Sequence, residues 1–249
     1  MDLGLAGKSA IVTGGSRGIG LAIAETFARE GANVSICARD TAHLQSASEA
    51  IGAHGGVVHA ASCDVASPTA LDSYMQQAHT ALGGLDILVN NASAFGRSDD
   101  EHGWRASIDV DLMASVRASW AATPMLEAAG GGAIVHISSI SGFGASTRTP
   151  PYAAIKATLM QYTQTQALDL AGKHIRVNCV APGSIYFKGG TWDEAERNNK
   201  PLFDSIRQSI PHGRFGTPQE VADLTVYLAS DAARWVTGQT VAVDGGQML

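Results

Sequence analysis

The chain is poor in charge, in aromatics and in cysteine. Charged side chains make up 16% of its 249 residues and aromatic ones 6%. Acidic residues outnumber basic ones, 23 to 17, for a net charge of −6. Such a balance lacks the basic face that nucleic acid requires. The three cysteines, Cys37, Cys63 and Cys179, are odd in number and far apart, so no disulfide framework is implied. Each lies in or beside an apolar run, where a reduced buried thiol is expected. No apolar run has the length of a membrane span: residues 128–147 are free of charge, yet Gly130, Gly131 and Gly132 break them and serine dilutes them. The first eight residues show no basic stretch leading into an apolar core, so no signal peptide is expected. The eight histidines show no metal-ligand spacing, so no metal is expected. These absences point to a soluble cytoplasmic protein that binds neither nucleic acid nor membrane.

What the sequence has instead is hydrophobic residues, at 45%, and 28 glycines. Residues 9–13 form a short apolar strand that runs straight into Gly14-Gly15-Ser16-Arg17-Gly18-Ile19-Gly20. An apolar-faced helix over 21–30 follows, and then a strand over 33–38. Glycines at a strand end allow a tight turn and a close backbone approach to a pyrophosphate, which the next helix N-terminus meets with free amides and its positive dipole end. A strand–glycine loop–helix–strand unit therefore reads as dinucleotide binding. Strand and helix continue to alternate: a helix to Ile51, a strand over 57–61, a Ser67-Pro68 helix start, a strand over 85–89 and a long helix over 100–129 with Pro124 as its expected kink. After strands near Ile134 and Ile175, Thr217-Pro218-Gln219-Glu220 reads as a capping box, and a strand over 240–243 closes the pattern. No linker or repeat interrupts it. The expected fold is a single α/β domain, residues 1–249, of the Rossmann-type doubly wound kind, with about seven parallel strands and helices on both faces. Residues 184–216 break the rhythm just beyond a strand end, the place for a substrate lid. Leu202, Phe203, Ile206 and Ile210 make an apolar stripe there.

The chemistry is expected where the strand ending in Ser138-Ser139 is followed by Tyr152-Ala153-Ala154-Ile155-Lys156. A four-residue spacing stacks Tyr152 and Lys156 on one helical face. A phenol beside an ammonium is a proton-transfer pair, although lowering a tyrosine from ~10 to neutrality takes roughly 4 kcal/mol of nearby positive charge. Ser139 supplies a hydroxyl facing the same space. His136 is expected to be an interior strand residue held by hydrogen bonds.

Taken together these residues resemble the short-chain dehydrogenase/reductase family, single-domain type, including its 3-oxoacyl-carrier-protein reductase-like members. Six pieces in order carry the resemblance over nearly the whole chain: Thr13-Gly-Gly-Ser-Arg-Gly-Ile-Gly20, Asp64-Val65, Asn90-Asn91-Ala92, Ser139, Tyr152 with Lys156, and Asn178-Cys-Val-Ala-Pro-Gly183. The stretch 214–246 also fits, through Leu228-Ala-Ser-Asp231, Thr237-Gly238 and Val243-Asp-Gly-Gly246. The resemblance implies that Tyr152 is the acid/base residue, that Ser139 polarises the reacting oxygen, and that Lys156 binds the nicotinamide ribose while holding the Tyr152 pKa down. It further implies cofactor contacts from Gly14, Ser16, Arg17, Gly18, Ile19, Gly20, Arg39, Asp64, Val65, Asn91, Ala92, Ser93, Pro182, Gly183 and Ile185, and a homotetramer.

Three departures stand out. Asp111 occupies a helix position where the family usually has an Asn whose backbone carbonyl positions a water near the catalytic Lys. Its negative charge is expected to pair with Lys156 or to raise Tyr152. Ser93 follows Asn-Asn-Ala where a Gly is usual. Phe187 takes the place of a Thr that often holds the nicotinamide amide, with the hydroxyls of Tyr186 and Ser184 as neighbouring candidates.

The second strand ends at Ala38-Arg39 with no carboxylate in the aligned position, and Arg17 is a second cation, so NADP(H) is expected over NAD(H), although Asp40 is adjacent. The expected activity is hydride transfer between nicotinamide and a carbonyl or secondary alcohol of a small-molecule substrate. One alternative is a 3-oxoacyl-carrier-protein reductase. It is weighed against by residues 124–133, expected near the active-site mouth, which hold Glu127 and no Lys or Arg. A second alternative, a non-catalytic dinucleotide sensor, is disfavoured by the intact Ser139, Tyr152 and Lys156.

Overall fold

Short apolar runs, each leading into a capped or glycine-led helix, dictate strands buried on both faces beneath helices that return over them. The structure, a computed structural model, describes residues 2–249; Met1, the first residue of the expected domain, lies outside them. The described residues form seven strands: β1 (Ser9–Thr13), β2 (Asn33–Ala38), β3 (Val58–Ser62), β4 (Ile87–Asn90), β5 (Gly132–Ile137), β6 (Ile175–Pro182) and β7 (Thr240–Val243). They pair in the order β3-β2-β1-β4-β5-β6-β7, and all pairs are parallel. The expected Rossmann-type doubly wound sheet is what forms. Strand order reverses between β1 and β4, so the crevice for a ligand opens there, at the carboxyl ends of the strands.

The connecting helices are α1 (Gly18–Arg29), α2 (Thr41–Gly52), α3 (Pro68–Leu82), α4 (Glu101–Ala106), α5 (Ala114–Ala128), α6 (Pro150–Leu170), α7 (Thr191–Asn198), α8 (Lys200–Ser209) and α9 (Pro218–Ala229). On one face of the sheet Ile23 and Phe27 of α1 and Val226 of α9 build a core. On the other, Met75 of α3, Leu126 of α5 and Leu170 of α6 do so. Local chemistry fixes the ends. Ser67 and Asp100 accept from Ala70 N and Gly103 N to start α3 and α4, and Thr217 with Glu220 forms the expected capping box. At the other end of α9, Arg176 donates to the carbonyls of Leu228 (2.6 Å), Ala229 (3.0 Å) and Ser230 (3.0 Å), satisfying acceptors that a helix terminus leaves free.

Two expectations change. The long helix over 100–129 is not a single element broken at Pro124. It is α4, a widened π-helical turn over Ser107–Met113, and α5. Helix α5 runs through Pro124 because the amide a proline lacks would serve the carbonyl of Trp120, on the solvent side, where water can take its place. The wide turn lies earlier and carries Asp111. Helix α1 begins at Gly18, inside the glycine loop rather than after it. Residues 184–216 hold α7 and α8, and the bridge between Ile185 and Gly216 brings the ends of the segment together. The apolar stripe folds inward, with Phe203 and Ile210 buried against Ala195 and Phe215. Among the described residues no helix is long and apolar enough to cross a membrane.

Candidate active site

At the end of β1 the chain must turn sharply, and neighbouring strands hold it there. The Thr13 hydroxyl accepts from the amides of Asn91 (3.0 Å) and Ala92 (3.2 Å), while Asn91 Nδ2 donates to the carbonyls of Thr13 (2.9 Å) and Gly14 (3.0 Å). This packing leaves no room for side chains. A Cβ on Gly20 would lie 2.3 Å from the Gly14 carbonyl oxygen, and Gly18, at φ 56°, would meet the Phe187 ring. The N-cap of α1, Arg17, makes no side-chain capping bond, and the first turn carries no acid. Its amides therefore remain available for an anion.

These elements bound one cleft of about 1240 Å³, larger than the roughly 300–1,000 Å³ of a single small-molecule pocket. Gly14, Ser16, Arg17, Ile19, Gly20, Arg39, Asp64, Val65, Asn91, Ala92, Ser93, Ser139, Tyr152, Lys156, Pro182, Gly183 and Ile185 all line it. Two of the expected residues do not: Gly18 lies under Phe187, and Asp111 is wholly buried behind the wall. At the α2 end of the cleft, Asp40 also lines the wall. Its carboxylate accepts from the His43 amide at 3.0 Å and pairs with His43 Nδ1 at 2.9 Å, capping α2. Arg39 beside it has no carboxylate partner, and Arg17 donates to the Gly189 carbonyl at 3.1 Å.

Tyr152 sits in the first turn of α6, which Pro150 and Pro151 open. One turn on, Lys156 is 2% exposed, with its ammonium 5.3 Å from the Tyr152 ring centroid. Lys156 Nζ donates to the Ile137 carbonyl at 3.0 Å, and the Ser138 hydroxyl donates to the Lys156 carbonyl at 2.7 Å. The lysine is thus held at the carboxyl end of β5. Ser139, 8% exposed, accepts from the Ser141 amide at 3.1 Å. For Tyr152, burial weighs more than Lys156, which lowers the pKa as the pairing leads one to expect. Burial pushes it above the usual tyrosine value; Lys156 and a hydrogen bond from Ser139 oppose this, and Asp111 adds to it. For Lys156, burial disfavours the ammonium, but the charges of Asp111 and Tyr152 outweigh that and its pKa is raised.

Asp111 is the residue whose role the sequence left most open. One carboxylate oxygen lies 3.2 Å from Lys156 Nζ and accepts a short hydrogen bond from the Ser93 hydroxyl. The other accepts from the Ala94 amide at 3.2 Å. Its own backbone carbonyl takes the Ser115 hydroxyl at 3.2 Å. The carboxylate thus reaches the lysine directly.

Beyond Tyr152 the cleft holds residues that sequence reasoning missed, together with Trp192 of the expected lid segment. Phe95, Arg97, Thr191 and Trp192 line the cleft. Phe95 is edge-on to Tyr152, and Arg97 stacks on Phe95 and donates to the Thr191 hydroxyl at 3.3 Å. No motif marks them, because a loop after β4 meets α7 only in three dimensions. Of the hydroxyls flanking Phe187, that of Tyr186 turns away to Glu196 (2.8 Å) and Asp193 (3.2 Å), whose carboxylates push its pKa up to about 12. Ser184 stays in the cleft wall, its amide and hydroxyl both bonded to Gln247. His136 is interior as expected, bonded to Gln166 at 2.9 Å and Asn90 at 3.2 Å. Residues 124–133, however, are not at the mouth of the cleft. They end α5 and enter β5 at its amino end, opposite the site.

A family model described as enoyl-(acyl carrier protein) reductase matches residues 14–248. Dehydrogenase/reductase SDR family member 4 of Oryctolagus cuniculus is 37% identical over 249 residues, spanning 97% of this chain and 94% of that protein. The crystal structure of L-sorbose reductase from Gluconobacter frateurii, complexed with NADPH and L-sorbose, superposes with a TM-score of 0.93 at 35% identity, covering 100% of this chain and 99% of that one. A 7α-hydroxysteroid dehydrogenase complexed with NADH and 7-oxo glycochenodeoxycholic acid superposes with a TM-score of 0.91 at 34% identity, covering 98% and 96%.

Proposed function

The chain belongs to the short-chain dehydrogenase/reductase family of oxidoreductases, and we propose that it interconverts a small-molecule carbonyl compound and its secondary alcohol with NADP(H). The observation that carries this reading is the meeting of Ser139, Tyr152 and Lys156 in the same cleft as the α1 amides and glycine loop. A nicotinamide dinucleotide fits that cleft by its size and by the uncapped amides of α1 at one end; when bound, it would supply or accept the hydride. The remaining work falls to side chains. The Ser139 hydroxyl holds the substrate oxygen, Tyr152 passes a proton to or from it, and Lys156 holds the ribose and the local charge. Arg39, free of any carboxylate, is assigned to the 2′-phosphate of NADP(H), with NAD(H) the alternative. Residues 184–216 are assigned the role of substrate lid within one domain. The reading includes a homotetramer, and a cytoplasmic location in keeping with three buried free thiols, Cys37, Cys63 and Cys179.

The test is NADPH oxidation across a panel of ketones, sugars and ketosteroids. Tyr152→Phe should cost at least ~100-fold in turnover with cofactor binding intact; a variant with near-normal turnover would remove Tyr152 from the mechanism, whereas a wild-type protein that binds NADPH and turns over no carbonyl compound would favour a dinucleotide sensor. A second reading, a 3-oxoacyl-carrier-protein reductase, gains support from Arg97 and Arg148 in the cleft lining, since the stretch 124–133, with Glu127 and no basic residue, no longer bears on it. Reduction of a 3-oxoacyl group that is efficient on its carrier protein and poor on a free thioester would select that reading.

A further inference from the structure

A carboxylate with no exposed surface stands behind the proposed proton donor. Asp111 faces Lys156 at 3.2 Å and is fixed by the Ser93 hydroxyl and Ala94 amide. It lies in the widened Ser107–Met113 turn, and such π turns recur at functional sites. The titratable groups around the pair are Tyr152 on α6, Cys179 on β6 and His136 on β5. Burial pushes the Cys179 thiol up and holds His136 down at about 4, so both are neutral at pH 7. Asp111 and Lys156 are then the two charges of this buried group, and they offset each other. A lysine matched by a carboxylate projects less positive potential onto a neighbouring phenol.

We propose that Asp111 is a positioning residue that, by pairing with Lys156, withholds part of the lysine's charge from the Tyr152 phenol and biases the site toward carbonyl reduction. The inference rests on Tyr152 being the acid/base residue. In reduction the carbonyl carbon gains a hydride, the carbonyl π pair moves to oxygen, and that oxygen takes the phenol proton; the cofactor is oxidised, and the phenolate regains a proton from solvent. In oxidation the phenolate must exist first, to accept the alcohol proton. A phenol that keeps its proton is ready for the first direction and must be titrated for the second.

The experiment follows tyrosinate absorbance against pH in the full-length protein and in Asp111→Asn, each with and without Tyr152→Phe, so that the difference isolates one of the five tyrosines. In Asp111→Asn, Tyr152 should ionise about one to three pH units lower, and the alkaline rise of alcohol oxidation should move down by the same interval. Coincidence of the two titrations within about half a unit would overturn the proposal. Should Asp111→Asn fail to fold, Ser93→Ala takes its place. It frees one carboxylate oxygen without changing the charge and should move the Tyr152 titration upward; no movement would be equally fatal. If no carbonyl compound is reduced by the wild-type protein, the proposed function fails, while the absorbance difference still decides the role of Asp111.

Discussion

Phe95 meets Tyr152 edge to face, ring centroids 4.7 Å apart, from a backbone at φ 52°. A bulky residue in the left-handed region costs of order 1–3 kcal/mol, and here Arg97 stacks on the ring at 4.8 Å and helps hold it. Phe95→Gly relieves that strain while removing the wall beside the phenol. Stability should therefore change little, while carbonyl turnover falls by roughly 10- to 100-fold and NADPH affinity is kept. Melting curves, steady-state rates and cofactor titration measure the three quantities; a loss confined to NADPH binding would contradict the placement.

If Arg39 reads the 2′-phosphate, its removal should damage NADPH binding and spare NADH. A charged hydrogen bond contributes about 1.5–3 kcal/mol, so Arg39→Ala should weaken NADPH by roughly 10- to 150-fold. Asp40 lines the same cleft with its carboxylate bonded to the His43 amide and ring; Ala38→Asp would put a carboxylate at the strand end itself and should push the preference further toward NADH. The ratio of the two dissociation constants, at low and high salt, is the measurement. Equal weakening of both cofactors would place the ribose elsewhere.

Buried His136 ties stability to acid. Burial holds its pKa down at about 4, against an ordinary value of 6.5. The unfolded chain therefore takes up the proton first, and the stability this group contributes is complete above pH 6.5 and lost as pH falls to 4. By linkage the loss is of order 3 kcal/mol. Denaturant titrations at a series of pH values should show that slope, and His136→Gln should flatten it whatever its effect at neutral pH.

Trp120 on α5 and Leu168 on α6 are 62% and 83% exposed, more apolar surface than an isolated helix face needs. The expected homotetramer would cover them with two-fold symmetry. Light scattering at micromolar concentration should report four chains, and Leu168→Glu should yield smaller species. A wild-type monomer would contradict the expectation.

The fold was legible because every signal in it is local. Apolar runs, the Gly14–Gly20 loop, Ser67-Pro68 and the Thr217–Glu220 box each act within a few residues. The Ser139, Tyr152 and Lys156 set was legible for the same reason, two of its members sharing one helical face. What stayed hidden depends on distant contacts. Ser93 and Asp111 meet across a widened turn that no period announces, and Arg97 reaches Thr191 across 94 residues of sequence. Burial, which a sequence does not show, outweighs the charge of Lys156, which lowers the Tyr152 pKa as expected.

The pair of hydrogen bonds between Ser184 and Gln247 carries a consequence for synthesis. Ser184 is fastened in the cleft wall through its amide (2.9 Å) and its hydroxyl (3.1 Å), and both partners belong to a single side chain 63 positions later. As the chain leaves the ribosome, β1 to β6 and the Tyr152 helix emerge first, yet the wall they share stays unfastened until residue 247 is out. Chains that end between residues 243 and 247 would have every strand of the sheet and still lack the bonds that fasten this wall.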